Sequence, residues 1–354
     1  MSKLMSKRFD NLVAYVPGEQ PQNRQYIKLN TNESPFPPSP FAQRMARQAA
    51  GNVQLYGDPN TKALAAVAAD KLGVGEDNLF FSNGSDEVLD FAFDAYCDAD
   101  TPALFADITY GFYSVFAARH CVPYCEIPLK EDFSLDLDDY IGQKGTVFLA
   151  NPNAPTGLAL PAKEIERLVA ANPNRMVVVD EAYVDFGGES VVPLIDKYDN
   201  LLVTRTFSKS RSMAGARLGM GIACKEIIAD LKKIKYCFNP YNVNAMTAAA
   251  GIGSLLDETY FRANVAAIVA TREDTVRALE ALGFECVPSS TNFIFVKHPH
   301  ISGADVYAQL KARGVLVRYF DKDRLRPYVR ITIGSAEEMK VLVQTLQIIL
   351  GETL

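Results

Sequence analysis

Residues 204–221 read Thr-Arg-Thr-Phe-Ser-Lys-Ser-Arg-Ser-Met-Ala-Gly-Ala-Arg-Leu-Gly-Met-Gly, which sets Lys209 directly after Ser208 and eight residues before Arg217. The apolar run Leu201-Leu202-Val203 delivers this Ser- and Gly-rich loop. A lysine amine beside a hydroxyl and a guanidinium suits the chemistry of pyridoxal 5'-phosphate (PLP). The amine forms a Schiff base with the cofactor aldehyde, while Ser and Arg hold its phosphate. The plainer alternative is one solvated lysine among 36 basic residues.

Two further groups bear on that choice. Asp180 follows the apolar residues Met176-Val177-Val178-Val179, so its carboxylate belongs at the end of a buried strand and needs a partner there. A pyridinium nitrogen is one such partner, and the ion pair keeps the ring able to absorb electrons. A helix cap or an arginine salt bridge are the others. Tyr183 could hydrogen-bond the phenolic oxygen of such a ring, and Tyr110 could stack on its face. The chain has no tryptophan for that role. Ser82-Asn83-Gly84-Ser85-Asp86-Glu87 joins an apolar run to a helical one, so the free N–H groups of Ser85 and Asp86 would make an anion site at a helix N-terminus. No Lys-Ser/Thr follows at P-loop spacing, and a plain capped helix is the alternative.

The elements that must position these groups alternate. Short apolar strands are predicted at 79–81, 103–105, 146–149, 176–179, 201–203 and 218–223. Helices are predicted at 40–50, 61–72 (capped by Thr61 or Asn60), 88–97 and 161–171, with another that follows the stretch 107–113 and ends near 118. Such alternation predicts a mostly parallel sheet with helices on both faces, an α/β fold with its ligand at the carboxyl ends of the strands. Ser85/Asp86, Tyr110, Asn153, Asp180/Tyr183 and Ser208/Lys209 all follow strand ends. The proline-rich stretch up to Pro40 reads as an extended arm, either a linker or a polar strip laid across a site, and Asn30, Asn32 and Glu33 within it favour the strip. Phe238-Asn239-Pro240-Tyr241 marks a break. Beyond it come helices over 243–281, a strand at 291–296, a helix at 303–313, strands at 315–318 and 329–333, and a terminal helix at 335–350. The expected organisation is an arm that contributes to a small domain (1–40), a large domain (41–240) and a small α+β domain (241–354).

With 354 residues the chain exceeds the ~250–300 residues at which single cores stop growing. Against 36 basic residues stand 42 acidic ones, a net charge of −6, which argues against nucleic acid or an anionic membrane as partner. The N-terminus shows no apolar core of a signal peptide, and no apolar run approaches ~20 residues. A cytoplasmic protein is expected. Six scattered cysteines and three histidines give no metal-ligand pattern, so no metal is expected.

Over nearly its whole length the chain resembles the fold-type I PLP-dependent aminotransferases, and among them the histidinol-phosphate aminotransferase family. The stretches that carry the likeness are residues 29–39, 56–60, 83–87, 109–110, 151–157, 179–186, 205–219, 241–244, 291–294 and 330–334, in the family's order. The resemblance implies a seven-stranded-type sheet flanked by helices plus a smaller α+β domain. It implies that Lys209 binds the cofactor and shuttles the proton, that Asp180 faces the pyridine nitrogen, Tyr183 the phenolic oxygen and Tyr110 the ring. Ser85, Asp86, Ser208 and Arg217 would hold the phosphate. Tyr56 would reach the phosphate in a neighbouring subunit, which implies a homodimer with shared sites. Arg330 and Arg318 would bind the substrate anion, with Tyr15, Asn32 and Glu33 near the substrate. Three positions depart from the family pattern: Ala154 where Asn is usual, Ser34 where Asn is common, and Ser210-Arg211-Ser212-Met213 where Ala-Phe-Gly-Leu is frequent. With Ala154, either Asn153 contacts the phenolic oxygen or Tyr183 does so alone.

The expected reaction is transamination of an amino donor, histidinol phosphate ahead of an aromatic amino acid, with 2-oxoglutarate as acceptor. A PLP-dependent decarboxylase or lyase is the alternative within the fold. A nicotinamide oxidoreductase would need a Gly-x-Gly-x-x-Gly turn that the chain lacks. A non-catalytic PLP sensor would need an appended DNA-binding module, for which the chain has no room.

Overall fold

In a computed structural model, which describes residues 3–10, 12–22 and 24–353, seven strands line up as one sheet. They are β1 (Leu79–Ser82), β2 (Ala103–Ala106), β3 (Tyr124–Ile127), β4 (Thr146–Ala150), β5 (Val177–Asp180), β6 (Leu201–Thr206) and β7 (Gly219–Ala223). Their order is β1-β7-β6-β5-β4-β2-β3. Every pairing is parallel except those of β7, which runs antiparallel to both neighbours.

The unbroken apolar runs follow from burial on both faces. Successive side chains of a strand alternate, so Val177 and Val179 enter one apolar cluster with Leu168 and Val203. Val178 enters another on the opposite face with Phe93 and Phe148. The same alternation sends Asp180 and Glu181 to opposite sides. Glu181 accepts from Arg205 Nε at 2.9 Å and from the N–H of Val191 at 2.6 Å. Strand β3 had no counterpart in the sequence reading, because it is an edge strand whose first three residues, Tyr124-Cys125-Glu126, are exposed.

A smaller antiparallel sheet follows, built from β8 (Glu285–Val287), β9 (Phe293–Lys297), β10 (Arg318–Tyr319) and β11 (Tyr328–Thr332) in the order β10-β11-β9-β8. The strand expected over 315–318 is two pieces. Val315–Leu316 pairs in parallel with Ile27–Lys28 of the arm, and Arg318–Tyr319 pairs with β11. The extended arm is therefore tied down by a ladder, and Leu29 joins the apolar cluster of Ile268, Ile294, Ile331 and Leu346. Residues 1, 2, 11 and 23 of the expected arm, and residue 354, lie outside the described residues.

Two helix starts differ from the sequence reading. The run expected from residue 88 begins at Ser85, because Gly84 at φ 82° ends the turn after β1. The helix Lys62–Leu72 is capped by neither Asn60 nor Thr61. Instead the Asp58 carboxylate accepts from the N–H groups of Asn60 and Lys62, each at 2.9 Å. The helical stretch 243–281 is broken at Asp257 into Ala245–Leu256 and Glu258–Glu280. Among the described residues no helix is long and apolar enough to cross a membrane.

Candidate active site

The carboxyl ends of β4, β5 and β6 open into a cavity of about 380 Å³ lined by Ser85, Asp86, Tyr110, Asp180, Tyr183, Ser208, Lys209 and Arg217. A second cavity of about 630 Å³ lies outside it, lined by Tyr15, Asn32, Arg318 and Arg330. Thr31, Tyr110, Ala154, Tyr183 and Lys209 line both. Lys209 thus stands at the junction of the two spaces. Of the sequence-derived residues Tyr56 and Asn153 line neither; Tyr56 stands out by its exposure. It is 82% exposed, stacked on Tyr241 with ring centroids 4.3 Å apart.

The inner cavity carries its charges at two ends. At one end the helix Ser85–Tyr96 presents a first turn that no side chain caps, flanked by buried Ser208 and by Arg217. Gly84 is required here. A Cβ on it would come within 2.5 Å of the Arg217 Nη2, so any side chain would displace the guanidinium. Asp86 accepts from Arg217 Nη2 at 3.3 Å and from the Tyr110 hydroxyl at 2.7 Å, so one carboxylate fixes both groups.

At the other end sits Asp180, 6% exposed. Burial, with the Asp86 charge adding to it, pushes its carboxyl up to about 7. Its Oδ1 accepts from the N–H of Ala182 at 3.1 Å, and its Oδ2 accepts from the hydroxyl of Tyr113 at 3.4 Å. Sequence reasoning missed Tyr113. The available signal was its place three residues after Tyr110 on a helix, but its hydroxyl could equally have been core. A buried carboxylate with no cationic partner among the described residues, a first-turn anion site and an amine in one cavity together fit a planar cation that carries a phosphate.

Lys209 Nζ donates to the Thr31 carbonyl at 3.3 Å and lies 5.8 Å from the Tyr183 ring centroid. Nothing in the sequence pointed to that backbone carbonyl. Glu33 also lines the inner cavity. Burial pushes its carboxyl up, but hydrogen bonds from Lys28 and Thr31 and the charges of Lys28 and Lys209 outweigh it and hold it below the ordinary range. Asn32 adopts φ 56°, a left-handed conformation that Asn tolerates better than most residues. It donates to the Tyr183 hydroxyl at 2.8 Å, and Thr332 and Asn292 pin its other polar groups.

The outer cavity is cationic. Arg330 is half-buried: Nη2 donates to the Asn30 carbonyl at 3.2 Å, while the buried Nε has no hydrogen-bond partner among the described residues. Burial pulls its pKa down. Arg318 sits directly across the ladder from Arg330 and donates to the carbonyls of Val16 and Pro17 at 3.0 and 3.1 Å. Tyr15 stacks on Phe112 with centroids 4.2 Å apart.

The three departures from the family pattern fall in two places. Ala154 lines both cavities, and Asn153 lines neither. Asn153 donates to Ile108 O and Thr156 Oγ1 and accepts from Thr109 Oγ1, all within its own loops. Ser34 and Ser212, by contrast, touch each other: the Ser212 hydroxyl donates to Ser34 Oγ at 2.8 Å. Arg211 beside it lies over Phe261 at 4.0 Å and donates to Ser254 O at 2.8 Å. This loop therefore fastens Lys209 to the arm and to the helices after residue 245 without lining either cavity.

Residues 24–346 match the family model described as aminotransferase class I and II. The chain is 43% identical over 352 residues to a histidinol-phosphate aminotransferase of Brachyspira hyodysenteriae, covering 99% of each chain. Among solved structures, a putative histidinol-phosphate aminotransferase from Erwinia carotovora atroseptica aligns with a TM-score of 0.86 and 27% identity over 92% of this chain and 96% of that one. The fold is also that of the Sinorhizobium meliloti histidinol-phosphate aminotransferase in complex with PLP, with a TM-score of 0.88 and 24% identity over 97% and 96% of the two chains.

Proposed function

The chain belongs to the aminotransferase class I and II family and is a PLP-dependent aminotransferase, and from that premise we propose that it moves the amino group of histidinol phosphate to 2-oxoglutarate, a step of histidine biosynthesis. The observation that carries this reading is that Lys209 lines both an inner cavity that holds Asp180 and an outer one that holds Arg330.

The bound cofactor would supply an electron sink next to the donor carbon. Asp180 would hold its ring nitrogen. A cation there lowers the cost of the buried carboxylate, reversing the upward pull that burial exerts. Tyr183, steadied by Asn32, would hold the phenolic oxygen, with no amide at position 154 to assist it. The uncapped first turn at Ser85 and Asp86, with Ser208 and Arg217, would hold the phosphate. Tyr110 would cover the ring, aimed by its bond to Asp86.

Lys209 Nζ would take the proton from the donor carbon and return it to the cofactor side. Arg330 and Arg318 would bind the donor's phosphate and, in the second half-reaction, a carboxylate of 2-oxoglutarate. A planar guanidinium serves both. Tyr15 and Asn32 would close the outer cavity over the donor. Tyr56, which lines neither cavity of its own chain, would complete the phosphate site of a second copy. On this reading the working form is a homodimer in the cytoplasm.

The test is an absorption spectrum of the PLP-loaded protein, taken before and after histidinol phosphate and, separately, phenylalanine. Loss of the visible band with histidinol phosphate supports the reading, and loss with phenylalanine alone replaces the substrate. A band that neither amine bleaches turns the reading toward decarboxylation or elimination.

A further inference from the structure

Beyond Arg318, Arg330 and Lys209, the outer cavity has a fourth basic side chain that the reading above does not use. Lys322 lines it, at the N-terminal flank of the one-turn helix Asp323–Leu325. Its carbonyl accepts from the N–H groups of Leu325 and Arg326 at 2.8 and 2.9 Å, which fixes the backbone that carries it.

The charges around Lys322 leave it free to act on a ligand. Its two acidic neighbours, Asp321 and Asp323, are both engaged by Arg326, at 2.8 and 3.0 Å. Asp107 is the one carboxylate lining the outer cavity among the described residues. It lies 3.4 Å from Arg324 and accepts from the Leu129 N–H. Arg318 and Arg330 stand opposite each other on adjacent strands, where like charges repel. The Phe320 ring lies near both guanidinium groups, 5.3 Å from one and 5.5 Å from the other. Its π-face offsets part of that repulsion. A site that gathers Arg318, Arg330 and Lys322 with its only acid neutralised is matched to more than one negative charge.

We propose that Lys322 is a specificity-determining residue that favours a doubly charged phosphate monoester over a singly charged or neutral donor. The inference rests on the histidinol phosphate reading and deepens it. A carboxylate is answered by one planar guanidinium, whereas a phosphate dianion offers three oxygens and a second charge for a point cation to meet. Lys322 is exposed, so its effect is modest and salt-sensitive.

The experiment compares kcat/KM for histidinol phosphate and for histidinol in the PLP-loaded wild type, Lys322→Met and Lys322→Arg. In Lys322→Met the ratio of the two values falls about five- to tenfold, through KM for histidinol phosphate, and the fall shrinks at high salt. Lys322→Arg restores most of it. A wild-type preference for histidinol phosphate that Lys322→Met retains within about twofold overturns the proposal and leaves the substrate reading intact. A wild type with no preference between the two amines overturns both.

Discussion

The hydroxyl of Tyr113 donates to Oδ2 of Asp180 at 3.4 Å, and both side chains are buried. Tyr113 packs its ring against Phe105 and Phe148, so Tyr113→Phe keeps the packing and removes the donor alone. Asp180 is left with the Ala182 N–H as its only other hydrogen bond among the described residues. A single bond to a charged group contributes roughly 1.5 kcal/mol at the low end, about tenfold in an equilibrium. Tyr113→Phe is expected to bind PLP about three- to tenfold more weakly with a melting temperature near that of the wild type. Fluorescence titration and a thermal melt check this. An unchanged dissociation constant would show that the bond does not tune Asp180.

Asp180 also gives the apoprotein a pH signature. In the unfolded chain an aspartate ionises near pH 4, whereas burial raises Asp180 to about 7. Between those values the folded chain retains a proton that the unfolded chain has released. Stability therefore falls as pH rises through this window, and the full cost, on the order of 4 kcal/mol, is present above it. Asp180→Asn removes the titration. Without PLP, Asp180→Asn is expected to gain stability over the wild type as pH rises from 5 to 8. With PLP bound the order reverses, because the carboxylate then has its cation. Melting curves of the two proteins, with and without PLP, check both signs. Parallel pH profiles without PLP would refute the argument.

The parts of this architecture that were legible in the sequence are those where one property dominates. Val177 to Val179 announced a central strand because both faces of the sheet are apolar there. Lys209, Ser208 and Arg217 announced themselves by residue type. Tyr124 to Glu126 did not read as a strand, since an exposed edge needs no apolar pattern. The split of 315–318 into two strands was hidden because each half pairs with a segment far away in sequence, Ile27–Lys28 or β11. Contacts such as Lys209 with the Thr31 carbonyl, or Ser34 with Ser212, join positions 178 residues apart. They depend on how the arm crosses the sheet ends, which no local spacing encodes.

Arg330 should show a conflict between stability and function. The residue is half-buried, its Nε is buried without a partner among the described residues, and a charge withdrawn from water without full hydrogen bonding is costly. Methionine fills similar space beside Phe293 and Phe320, the two rings that flank the guanidinium. Arg330→Met is therefore expected to melt at the wild-type temperature or a few degrees above it. Its KM for histidinol phosphate should rise about 10- to 100-fold, the equivalent of a lost charge-assisted hydrogen bond. Steady-state kinetics beside a thermal melt separate the two effects. A strongly lowered melting temperature would mean that Arg330 holds the fold rather than the substrate.

Tyr56 offers the sharpest test of shared sites. Its ring lies on Tyr241 and is 82% exposed, and the loop that carries it is held from below by the buried Lys235, which donates to the Pro59 carbonyl. Tyr236 adds a bond to Asn60 at 3.2 Å. An exposed aromatic residue on a fastened loop is placed to serve a neighbour. If Tyr56 completes the site of a second copy, Lys209→Ala is inactive, and Tyr56→Ala alone binds PLP more weakly. Mixing the two after unfolding and refolding then creates heterodimers in which one site has Lys209 from one chain and Tyr56 from the other. With random pairing in a twofold dimer, half of the dimers are hybrids with one intact site of two, so about a quarter of the wild-type site activity returns. Activity after mixing that only equals the mean of the two separate variants would place Tyr56 outside the neighbouring site.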